Sequence, residues 1–232
     1  MAKQVQTNGR ESVWLLVLAA ALTMLIYYIP MGFFAVYPLR LFVTFIHEGG
    51  HALMALLTAG SVEKLVIYAD ASGETYTRGG SQFLIASAGY LASTVYGASL
   101  LVLCSDGKKA KAVLTATALL IVALTGFFAK DLFSIFIGIS LALILVFVVL
   151  SFGARLAHFS LSFLAVQCCL NALYDLRTLF VVSASTSMRS DAKTLEELTM
   201  VPAVLWASML IVVSTITLLI AVSIHNARSR LA

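Results

Sequence analysis

The residues best suited to chemistry in this sequence form the run His47-Glu48-Gly49-Gly50-His51. On an α-helix, residues four positions apart lie on one face, so both imidazoles can bind a single metal ion. A bound zinc ion lowers the pKa of its water ligand to about 7, and Glu48 is placed to accept that proton. The H-E-x-x-H run therefore predicts a hydrolytic zinc site. The alternative is a set of hydrogen-bonded polar side chains inside a helix bundle.

A third metal ligand must come from elsewhere, because a catalytic zinc usually has three protein ligands and one open position. Asp175 is the best candidate, since it lies deep in an apolar segment where a carboxylate needs a partner. Asn171 lies one helical turn earlier and could orient that carboxylate or the scissile peptide. The alternative is that Asp175 pairs with Arg177 or Asn171. His158 and His225 are poorer candidates, because they lie near the ends of apolar segments.

The composition shows what kind of protein must position these residues. The chain is 61% hydrophobic and 11% charged, whereas a soluble domain is about 25% charged. A bilayer must therefore solvate most of the chain. The net charge of +4 is scattered and does not form a nucleic-acid-binding patch. The three cysteines lack C-x-x-C spacing, which argues against a disulfide framework or a cysteine zinc site. Cys168 is predicted to be a packing residue.

The sequence predicts an all-α polytopic membrane protein, with about seven transmembrane helices in one membrane domain over residues 1–232. Each span is near the ~20 residues that a helix needs to cross the bilayer. The fourth and fifth could instead form one re-entrant unit. The second and sixth run parallel, because three spans lie between them, and this places His51 and Asp175 at similar depth. If both residues bind one zinc ion, their metal-facing atoms should lie within about 5 Å of each other, because bonds to zinc are about 2.0–2.2 Å long. The predicted spans are residues 13–30, 36–59, 82–104, 111–128, 132–151, 156–182 and 200–224.

Residues 61–80 differ from the spans, because they combine a β-branched run with the turn residues Asp70-Ala71-Ser72-Gly73. This pattern predicts a short β-hairpin at the membrane surface. Strand 62–68 is predicted to present an unpaired edge toward the zinc cleft, where it could hold an extended peptide. The alternative is a plain surface connector.

Gly49 and Gly50 fill the two variable positions of the motif. A glycine inside a helix costs about 1 kcal/mol relative to alanine. We expect the benefit to be the close approach of a neighbouring helix. Simple tolerance of small residues is the alternative.

Together these residues resemble the site-2 protease family of intramembrane zinc metalloproteases, and more closely its compact bacterial peptidase-like branch. That family pairs H-E-x-x-H with an N-x-x-P-D-G-type element in a later helix. Asn171 and Asp175 match the second element, but Tyr174 replaces its proline and Leu176 its glycine. The family's hairpin after the catalytic helix is similar to residues 61–80, and its small-residue motif is similar to residues 87–93. The resemblance covers roughly residues 36–182, so the first and seventh spans are not explained by it.

The resemblance implies a multi-pass enzyme of a bacterial cytoplasmic membrane that cuts transmembrane or membrane-bound proteins within or near the bilayer. It implies Zn²⁺ bound by His47, His51 and Asp175, with Glu48 as the proton shuttle and Asn171 as a substrate-positioning residue. Two other functions share the pattern. One is a non-proteolytic zinc-binding membrane scaffold. The other, less well supported, is a metal transporter, which should show further ligands along a path.

Overall fold

The computed structural model describes residues 32–103, 107–168 and 190–231 of the chain. This part is mostly helical, with one two-stranded sheet between the first two helices. In chain order the elements are α1 (Gly32–Leu57), β1 (Ser61–Ile67), β2 (Gly73–Arg78), α2 (Gln82–Leu103), α3 (Gly107–Phe128), α4 (Leu132–Ser151), α5 (residues 154–168), α6 (Asp191–Thr199) and α7 (Ala203–Leu231).

Four of the predicted spans coincide with helices that are long and apolar enough to cross a membrane, namely α2, α3, α4 and α7. Helix α1 is also long, at 26 residues, but Arg40 and the polar side chains of the H-E-x-x-H motif make it less apolar. The predicted first span and residues 169–182 of the sixth lie outside the described residues. The structure therefore supports a polytopic membrane protein and leaves the predicted number of seven spans as a prediction.

Helices α3 and α4 are joined by a tight turn and pack against each other. Asp131 caps α4, because its Oδ1 accepts a hydrogen bond from the Ser134 backbone N–H at 2.9 Å. Such a cap satisfies an N–H group that has no partner within its own helix. The two segments are separate helices of 22 and 20 residues, and each is long and apolar enough to cross a membrane.

Helix α1 approaches its neighbours closely at the adjacent glycines of the motif. A Cβ atom on Gly50 would collide with the Ala92 Cβ of α2 and would lie 2.9 Å from the Ala88 carbonyl oxygen. A Cβ atom on Gly49 would lie 2.7 Å from Leu124 Cδ1 of α3. The predicted role of the two glycines in close helix packing is confirmed.

The hydrophobic core joins the helices to the hairpin. Phe45 of α1 and Leu65 of β1 have no exposed surface, and Ile67 of β1 is 1% exposed. These side chains belong to one cluster with apolar residues of α2, α3, α4, α5 and α7. The first strand of the hairpin is therefore part of the core.

The predicted β-hairpin is present, with β1 and β2 antiparallel and an irregularity between Val62 and Lys64. Its turn is held by Asp70, whose Oδ1 accepts hydrogen bonds from the Ser72 N–H at 2.9 Å and the Ser72 hydroxyl at 2.6 Å. An aspartate that bonds the backbone two residues on is a common way of forming a turn.

The two outer edges of the hairpin differ. Leu65 of β1 forms a parallel bridge with Ala129, and the Ile67 N–H donates to Ser134 Oγ at 2.7 Å. Strand β2 pairs only with β1 among the residues that the structure describes. The prediction that strand 62–68 presents the unpaired edge is therefore wrong. The α3–α4 junction covers that edge, and the open edge in the described structure belongs to β2.

Candidate metal and catalytic site

The H-E-x-x-H motif lies in the second half of α1, where its side chains converge. The Nε2 atoms of His47 and His51 are 3.0 Å apart. Ligand atoms of His47, Glu48 and His51 all lie within 4.8 Å of one another. Glu48 and His51 are buried and His47 is half-buried. The helical spacing thus brings two imidazoles and a carboxylate close enough to share one metal ion, as predicted.

Contacts from α2 fix the orientation of both imidazole rings. His51 Nδ1 lies 2.7 Å from the Ile85 carbonyl oxygen. Because a carbonyl can only accept, Nδ1 carries the proton, and Nε2 of the neutral ring has a free lone pair. The His47 ring meets Tyr90 edge-on, with the ring centroids 4.7 Å apart. Metal-binding histidines usually have a hydrogen-bond partner for the second ring nitrogen, as His51 has in the Ile85 carbonyl oxygen.

Strand β2 lies against Glu48. The Thr75 hydroxyl donates to Glu48 Oε2 at 2.7 Å, which fixes the carboxylate. A Cβ atom on Gly73 would lie 2.9 Å from Glu48 Oε1 and 2.7 Å from Glu48 Cγ, so the glycine leaves room for this side chain. Sequence patterns did not identify Thr75, because a strand sequence does not show which residue of another element the strand faces.

Gly89 of α2 leaves open the space beside the two histidine nitrogens. A Cβ atom there would collide with Nε2 of both His47 and His51. Two imidazole nitrogens with carboxylate oxygens nearby are ligands that zinc prefers. The donor set and the open space at Gly89 therefore fit a zinc ion.

Asp191, the first residue of α6, adds a second carboxylate to this cluster. Its Oδ2 lies 3.2 Å from His47 Nε2 and 3.4 Å from His51 Nε2. Burial raises the pKa of Asp191, but the positive charge of a protonated His51 and hydrogen bonds from both imidazoles outweigh that effect, so the pKa lies below its ordinary value. No sequence motif singles out Asp191, which lies between the predicted sixth and seventh spans. The one local signal is Ser190, a residue typical of a helix start.

The remaining predicted site residues have different outcomes. Asp175 and Asn171 lie outside the described residues, so their roles and the distance between His51 and Asp175 stay predictions. His225 Nδ1 lies 2.9 Å from the Leu101 carbonyl oxygen, near the end of α2 and not at the motif. Cys168 is fully buried in the hydrophobic core, which confirms a packing role.

Comparison with known protein families gives a match. The model of the Peptidase M50B-like family matches residues 15–221, a range that contains the motif, the hairpin and most of α7. No curated protein and no solved structure gives a match. The family match covers most of the 232 residues and agrees with the resemblance to site-2 proteases. This chain belongs to the Peptidase M50B-like family, whose members are peptidases of the site-2 protease type.

Proposed function

We propose that this protein is an intramembrane zinc metalloprotease that hydrolyses transmembrane or membrane-bound proteins within or near the bilayer of a bacterial cytoplasmic membrane. The observation that carries the proposal is the cluster of His47, His51 and Glu48, with imidazole nitrogens 3.0 Å apart and a carboxylate fixed by Thr75. Family membership supports a peptidase. The four long apolar helices support a membrane setting.

The chemistry divides between the metal and Glu48. His47 and His51, together with an aspartate, would hold the zinc ion. A bound zinc ion supplies a Lewis acid that activates water and polarises a peptide carbonyl at neutral pH. The Thr75 hydroxyl occupies Glu48 Oε2, which leaves Oε1 to accept a proton from the attacking water and pass it to the leaving amine. Thr75 is therefore a positioning residue for Glu48.

The open edge of β2 suits a substrate in an extended conformation. Leu65 and Ile67 direct backbone groups away from β2, toward the α3–α4 junction. In an antiparallel ladder, two directly opposite residues either both bond to each other or both point their N–H and C=O groups away from each other. Their partners Thr75 and Gly73 therefore turn N–H and C=O groups toward the open edge. A peptide that bonds to this edge would lie beside Glu48, with its carbonyls free of helical hydrogen bonds.

The test compares the wild type with Glu48→Gln. Each protein is reconstituted in liposomes with membrane proteins extracted from the source cells, and new N-termini are identified by mass spectrometry. Glutamine keeps the size of the side chain and can still accept the Thr75 hydrogen bond, but it cannot take a proton. We expect cleavage within or near apolar segments by the wild type, reduced at least about 100-fold in the variant, because general bases contribute about 10²–10⁴-fold.

Glu63→Gln is the matched control, because Glu63 is exposed on β1 and its loss should leave cleavage unchanged. Equal cleavage by the wild type and Glu48→Gln would contradict a protease. If the protein still bound zinc in that case, the scaffold function would be favoured.

A further inference from the structure

The charged residues of the described helices are separated by sign. Helices α2, α3, α4, α5 and α7 contain no aspartate or glutamate. The acidic residues that the structure describes lie instead in α1, the hairpin, the α3–α4 turn and α6. The basic residues of α3, α5 and α7 all lie within the first or last five residues of their helix, and they are Lys108, Lys109, Lys111, Arg155, Arg228 and Arg230.

Contacts between the helices bring these six residues to one end of the bundle, called here the basic end. Lys111 Nζ donates to the Val149 carbonyl oxygen at 2.7 Å, which joins the start of α3 to the end of α4. Arg155 lies at the start of α5, directly after α4. His225 Nδ1, near the end of α7, lies 2.9 Å from the Leu101 carbonyl oxygen near the end of α2. Helix α3 in turn begins shortly after α2 ends, so the four helix termini lie together.

Half of these cations are not placed to stabilise their own helices. Lys108 and Lys109 lie in the first turn of α3, and Arg155 lies in the first turn of α5. A helix N-terminus carries partial positive charge, so a cation there is unfavourable. Lys111 has a structural role, because it bonds to α4. The three cations at helix starts therefore raise the positive potential of the basic end without stabilising the helices that carry them.

The partner that fits this end is negatively charged and lies at the membrane surface. Helices α3, α4 and α7 are long and apolar enough to cross a membrane, so their termini lie near the lipid headgroups. Clusters of four to eight basic residues beside membrane-spanning helices attract anionic lipids. Asp106, which lies outside the described residues, adds one negative charge against six positive charges in this region. We propose that the basic end binds the headgroups of anionic phospholipids.

The experiment titrates the full-length protein in detergent with phosphatidylglycerol or phosphatidylcholine, and native mass spectrometry gives a dissociation constant for each lipid. The wild type should prefer phosphatidylglycerol, and high salt should reduce the preference by screening the charges. The triple variant Lys108→Gln/Lys109→Gln/Arg155→Gln should bind phosphatidylglycerol at least about tenfold more weakly, because each basic residue near an anionic surface contributes roughly fivefold in affinity. Binding of phosphatidylcholine should not change.

Two matched variants separate this site from a general effect of charge or folding. Lys64→Gln/Arg78→Gln/Lys130→Gln removes the same charge from exposed positions of the hairpin and the α3–α4 turn, and it should keep wild-type affinity. Exchanging lysine for arginine, and arginine for lysine, at the three tested positions keeps the charge and should also keep the affinity.

Three results would overturn the proposal. The first is equal affinity of the wild type for the two lipids, as expected if the cations serve only membrane insertion or bind an acidic protein. The second is an equal loss of affinity when the charges near the hairpin are removed. The third is displacement of phosphatidylglycerol by excess inorganic phosphate, which would indicate a site for a free anion and not for a lipid.

Discussion

The two strands of the hairpin pair with each other but have different surroundings. Strand β1 buries Leu65 and Ile67 in the core and bonds along its outer edge to the α3–α4 junction. Strand β2 alternates between half-buried and exposed residues, and within the described residues its outer edge is unpaired. Its inner face contacts Glu48 through Thr75.

This difference shows that one strand of a hairpin can fix the sheet to the helices while the other strand keeps a free edge. Burial of a Leu or Ile side chain stabilises a fold by about 1.5–3 kcal/mol, so β1 fixes the sheet against the helices. Strand β2 gains its position by pairing with β1, and this leaves one of its edges available beside the proposed catalytic glutamate. Substitutions in β1 should therefore change stability, whereas substitutions in β2 should change activity.

The largest effect is expected for Leu65→Ala in β1. Removing this fully buried side chain leaves a cavity in the core, which costs about 2–5 kcal/mol for Leu→Ala. Thermal unfolding in detergent measures the loss. Val66→Ala is the control, since the next residue points to the other face and is half-buried, and its cost should be clearly smaller. Equal losses in the two variants would mean that β1 does not anchor the hairpin.

Thr75→Val in β2 should show the opposite pattern. It removes the hydroxyl that donates to Glu48 at 2.7 Å, and a hydrogen bond to a charged group contributes about 1.5–3 kcal/mol. If that energy positions the carboxylate during reaction, kcat should fall about 10–100-fold. Zinc content should stay at the wild-type value, the unfolding temperature should fall less than in Leu65→Ala, and Thr75→Ser should keep activity. A variant that loses zinc as well would show that Thr75 supports the whole site and not Glu48 alone.

Ser134→Ala tests the bonded edge of β1 and should have the smallest effect. Ser134 is fully buried, and its loss leaves the Ile67 N–H without its acceptor. An unsatisfied buried donor lowers the free energy of unfolding by about 1–3 kcal/mol. Thermal unfolding in detergent should show this loss as a lower unfolding temperature. Ser99→Ala is the comparison, because that hydroxyl is exposed and bonds only to its own helix. Unchanged stability in Ser134→Ala would indicate that the β1 edge is held by the Leu65–Ala129 bridge alone.

Sequence patterns correctly predicted the features that depend on residues close together in the chain. The spacing of His47 and His51 fixes their shared helix face. Alternation and turn residues predicted the hairpin to within a residue or two of its observed bounds. Apolar length identified α2, α3, α4 and α7 as candidate spans. The paired glycines indicated close helix packing, because mid-helix glycine is otherwise unfavourable.

The errors and omissions come from contacts between distant parts of the chain. Which edge of the hairpin is covered depends on where Ala129 and Ser134 meet β1, and no periodicity in residues 61–80 encodes that contact. Asp191 lies 140 positions after His51 in the sequence. It begins a short helix whose charged residues are typical of a polar surface helix. Its approach to the histidines follows from the docking of α6 on α2 and α7.

Gly89 suggests how proteases and inactive descendants of this fold could be told apart. Any side chain there would collide with Nε2 of both histidines, and His51 cannot turn aside without breaking its bond to the Ile85 carbonyl oxygen. A relative could therefore retain every letter of H-E-x-x-H and still be unable to bind metal after one substitution in the following helix. Across the family, a glycine aligned with Gly89 should mark catalytic competence better than the motif itself, and its replacement should mark pseudoenzymes.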